Sequence, residues 1–74
     1  MLNILDVKID NVVSLYVTAI HNGENMQNPA VARSYGKLIG LLEAKRLFTG
    51  SDEPMVVTAG KLIAIAQEVR GYAA

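Results

Sequence analysis

His21 is the one histidine of the chain, and an imidazole can serve as a general base or a metal ligand where carboxylates or further imidazoles converge on it. With one histidine there is no HxxxH pair, and its local acids, Glu24 three residues on and Asp10, do not by themselves complete a recognised ligand set. His21 reads instead as the end of a helix's polar face, where a cation favours the macrodipole. Asp6 and Asp10 stand four residues apart, within reach of a shared proton or cation. As like charges at that spacing they form a solvated face more simply than a site. Ser14, Ser34 and Ser51 have neither a GxSxG context nor an adjacent base to activate them. Gly36 and Gly40 lack the GxxxxGK[ST] pattern and the preceding strand that a phosphate loop needs. Asp52 and Glu53 fit the acidic start of a helix. Cysteine is absent, which removes thiolate nucleophiles, thiolate zinc sites and disulfides together. We therefore expect no catalytic residue, no cofactor, no metal site and no enzyme.

Groups so dispersed have to be understood through the elements that carry them. Glycine and proline divide the 74 residues into three segments with no repeat and no linker, which predicts a single helical domain over 1–74. In the first, Leu2, Leu5, Ile9, Val12, Tyr16 and Ala19 recur at three- and four-residue spacing, widened by Val13, Val17 and Ile20. Asn3, Asp6, Asp10, Ser14, Thr18 and His21 hold the opposite face, giving a helix over 2–22 that Gly23 ends. Alternation of Leu5, Val7 and Ile9 leaves a short strand within residues 1–9 as the alternative. Asn28 followed by Pro29 is an N-cap with proline at the first helical position. The second helix, 29–49, carries Val31, Tyr35, Leu38, Ile39 and Leu42 on one side and stops at Gly50. The third, over 52–70, starts at Ser51 or Asp52 with Pro54 in its first turn, repeats Met55, Ala59, Leu62, Ala66 and Val69, and ends at Gly71.

The expected fold is thus all-α, a small three-helix bundle completed by homodimerisation. Two observations motivate the dimer. Burial in a chain of 8.0 kDa contributes about 107 kcal/mol at ~25 cal/mol/Å², against about 111 kcal/mol for ordering its residues. The apolar arc of the first helix also spans about 200°, twice the ~100° of a simple surface helix. Ala32, Gly36, Gly40 and Ala44 form a ridge of small residues along the second helix, and Gly60 and Ala64 lie off the main stripe of the third. Each helical glycine costs about 1 kcal/mol relative to alanine, so these six are the candidate helix-packing or interface residues. Intramolecular packing is the first expectation for them, with Gly40 the position where an added methyl is most costly, and a self-association seam is the other.

Charge is balanced overall, with seven basic and seven acidic side chains, but Arg33, Lys37, Lys45 and Arg46 make the second helix locally basic. They are a candidate contact stripe for an acidic protein or a phosphate backbone, or a solvated face that neighbouring acids complement. A helix-turn-helix built from the last two helices would open its recognition helix with Asp52 and Glu53, which repel phosphate. A DNA-binding regulator is accordingly the second functional expectation and an assembly subunit of a larger particle the third. The first is a non-catalytic protein-interaction module, an adaptor, inhibitor or regulator acting through apolar helix faces. Its expected partners are a second copy of itself and a protein that the residues do not identify, with nucleic acid disfavoured. Mean hydropathy is +0.28, yet Val12–Ile20 and Met55–Ala66 fall short of the ~18 apolar residues a span requires. No basic n-region precedes an apolar run. Those features predict a soluble, cytoplasmic chain that does not cross a membrane.

Overall fold

A computed structural model describes residues 2–72. They form three helices, α1 (Leu2–His21), α2 (Pro29–Thr49) and α3 (Met55–Val69), with no strand among them. The strand alternative for the first residues is thereby set aside from Leu2 onward; Met1 and the side chains of Leu2 and Asn3 lie outside the described set.

Helix ends follow from local chemistry. Asn28 caps α2 by accepting the Ala30 N–H on Oδ1 at 2.9 Å, and its own Nδ2 donates to Glu24 Oε1 at 2.8 Å. Gly50 closes the helix at φ 66°, donating its N–H to the Arg46 carbonyl at 2.8 Å. The left-handed conformation it adopts is the one glycine enters without a Cβ clash.

α3 begins three residues later than the acids suggested, at Met55 instead of Asp52. Ser51 explains the delay. Its Oγ accepts the Glu53 N–H at 3.2 Å and its carbonyl accepts Arg46 Nε at 2.9 Å, so the chain here is held in a turn. Pro54 then stands at the N-cap, outside the first turn, and its carbonyl accepts from Val57 and Thr58.

α1 and α2 run antiparallel, as two pairs show: Asp6 meets Lys45 at 2.7 Å, and the Tyr16 and Tyr35 rings pack with centroids 5.7 Å apart. α3 lies across both, its C-terminal end beside the C-terminal half of α1. There the Arg70 guanidinium donates to Thr18 Oγ1 at 3.3 Å and to Ser14 Oγ. Ile9, Val12, Val13 and Val17 from α1, Leu38 and Leu42 from α2, and Met55 and Ala59 from α3 form one buried cluster. These belong to the predicted stripes. Val69, placed on the core stripe by spacing, is instead 81% exposed, in the last turn of α3.

Candidate functional site

Among the described residues the candidate catalytic side chains do not converge. His21 is exposed in the last turn of α1, stacked on Tyr72 with ring centroids 3.9 Å apart and planes within 6°. Asp6 is occupied by Lys45. Ser34 Oγ donates to the Ala30 carbonyl at 3.0 Å, and Ser14 receives Arg70, so neither faces a base. Among the described residues no three His, Cys, Asp or Glu side chains group as a metal site. An open cleft of about 660 Å³ between α1 and α2 is lined by Leu15, Thr18, Val31 and Ser34 among others, with the Glu24 carboxylate at its edge accepting from Asn28 Nδ2.

The basic stripe divides in two. Lys45 turns toward α1 to reach Asp6. Arg46 points along its own helix, its Nη1 4.0 Å from Glu43 Oε1 and its Nε on the Ser51 carbonyl. Only Arg33 and Lys37 remain exposed without an ion pair among the described residues. The four cations therefore do not act as one patch, and the reason lies in the helix period: Lys45 and Arg46 fall on the flanks nearest the core, where acids and carbonyls of other segments meet them.

Among the described residues, the three glycines of the small-residue set do not sit at helix crossings. Gly36, Gly40 and Gly60 are exposed, and a Cβ built on any of them meets no atom within 4 Å outside its own helical turn. Ala64 is exposed as well, while Ala32 and Ala44 are half-buried at the edges of the ridge. The intramolecular packing expected of Gly36, Gly40 and Gly60 is corrected by this open space, and with it the expected penalty for a methyl at Gly40. The core lies on the far side of α2, where Val31, Leu38 and Leu42 are buried.

Exposed apolar side chains are the feature that sequence periodicity missed. Ile4, Val7 and Leu15 line a second side of α1, Leu47 and Phe48 end α2, and Val56, Val57, Ile65 and Val69 stand out from α3. Leu47 reaches 86% exposure. The signal was present in the spacing of Ile4, Val7 and Leu15, which repeats with the helix on the side away from the stripe that fills the core. Scattered apolar residues are ordinary on a surface, whereas aligned ones mark contact faces. No described helix is long and apolar enough to cross a membrane. Compared with protein families, with curated proteins and with solved structures, the chain shows no match.

Proposed function

We propose that the chain is a non-catalytic protein-interaction module that works through apolar helix faces and pairs with a second copy of itself, in the manner of an adaptor, inhibitor or regulator. The carrying observation is that all three helices keep large apolar side chains at the surface while the internal core is small. The accessible surface is 4911 Å², against about 4,450 Å² expected for a folded chain of this mass. A second copy would cover part of that surface and add burial to a fold whose own margin is thin. The dispersal of the titratable groups supports contact over catalysis.

Sedimentation equilibrium at micromolar concentration tests the reading. A dimer is expected, with a melting temperature that rises with protein concentration. A monomer whose melting point is independent of concentration overturns it.

A further inference from the structure

The outward side of α3 differs from those of the other two helices in how its charges are placed. Val57, Gly60, Lys61, Ala64, Ile65 and Glu68 are all exposed and share the side opposite Met55 and Ala59, which are buried. Lys61 and Glu68 are seven residues apart, a displacement of about 20° around the helix, so they occupy the same flank. When two copies of a helix pack antiparallel about a two-fold, each flank faces itself with the direction reversed. A two-fold crossing α3 between Ala64 and Ile65 therefore brings Lys61 of each copy level with Glu68 of the other. Two ion pairs form at once, on one flank. Ile65 meets its own copy between them, and Ala64 and Gly60 let the backbones approach.

Within the chain, Glu68 has no ion pair among the described residues, whereas Lys61 Nζ lies 2.7 Å from Glu53 Oε1. An ammonium carries three donors, so Lys61 can keep Glu53 and still donate to a second carboxylate.

The same operation fails on the other helices. Lys37 and Glu43 flank Gly40 but are six residues apart, about 120° around α2 and thus on opposite flanks. A two-fold between Gly36 and Gly40 would set the two Lys37 side chains beside each other with no acid facing them. On α1, the face of Ile4, Val7, Asn11 and Leu15 includes Lys8 and no acid. We infer that the chain pairs with a second copy through α3, antiparallel, with Lys61 of each copy against Glu68 of the other.

This rests on the self-association reading above and names the face that carries it. The test compares the parent with Glu68→Lys by sedimentation equilibrium, since Glu68 is exposed and its replacement disturbs no partner within the chain. Dimerisation should weaken about tenfold at ~0.05 M salt, because two attractions become two repulsions, and the difference should shrink at ~1 M. The absence of native cysteine allows a second measurement by single-site oxidation. Ala64→Cys should cross-link to itself, as Cβ atoms beside the two-fold come within disulfide reach, and Gly40→Cys on α2 should not. If the parent dimerises, Glu68→Lys dimerises equally tightly and Ala64→Cys cross-links no faster than Gly40→Cys, the α3 pairing is overturned and self-association stands. If the parent is monomeric, both fall.

Discussion

Gly40→Ala is the substitution whose sign depends most directly on the structure. Packed at a helix crossing, the added methyl would cost about 1 to 3 kcal/mol by overpacking. Instead, the Cβ enters open space, at a residue within α2 that has no positive φ. Two favourable effects remain: alanine is the better helix former, and it narrows the unfolded ensemble. Together they should stabilise the fold by about 0.4 to 1 kcal/mol. For a domain of this size that is an increase in melting temperature of about 2 to 8 °C. Gly36→Ala, one turn earlier on the same open ridge, should behave alike. Gly50→Ala supplies the opposite control, since φ is 66° there and a Cβ in the left-handed region costs about 1 to 2 kcal/mol. Thermal melts followed by circular dichroism at 222 nm, at a concentration low enough to keep the chain monomeric, read all three. A lower melting point for both Gly40→Ala and Gly36→Ala under those conditions would refute the open-ridge geometry.

Two further outcomes follow from burial and capping. Leu38→Ala, at a fully buried position, should lose about 2 to 5 kcal/mol in urea unfolding, while Leu47→Ala, 86% exposed, should stay within about 0.5; equal losses would contradict the assignment of the core. Asn28→Ala removes the acceptor for the Ala30 N–H and should cost about 1 kcal/mol, whereas Asn28→Asp or Asn28→Ser should restore most of it.

The sequence carried the helices and their boundaries wherever a boundary is made by neighbouring atoms. Asn28 beside Pro29, and Gly50 after Thr49, act through hydrogen bonds within a few residues, and both took their expected roles. The start of α3 escaped although its contacts are also local: Ser51 engages the Glu53 N–H and the Arg46 side chain, a turn that takes the place of a helical first turn. The buried faces were legible from period alone in Ile9, Val12, Leu38 and Met55. Interface candidates were not, since periodicity says which residues share a face and not which face has a neighbour. Ile4 and Val7 repeat along the side of α1 away from the core stripe, and only the placement of α2 and α3 decides that they stay in the open. The fate of Lys45 was hidden for the same reason, as its acid partner is on α1.

The clasp between Arg70 and the Ser14 and Thr18 hydroxyls has a consequence for the order in which the molecule comes apart. These hydrogen bonds join residues 56 and 52 positions apart, and the Tyr72–His21 stack closes the same corner. The α1–α2 and α2–α3 hairpins each need only a short connection, so their contacts are expected to arise early, and the distant α1–α3 closure is expected late because its loop entropy is larger. By the same reasoning the α1–α3 corner is expected to open first, at a free energy below that of global unfolding, which amide exchange would read. A copy bound along the outer side of α3 would then be expected to act as a kinetic brake on that opening.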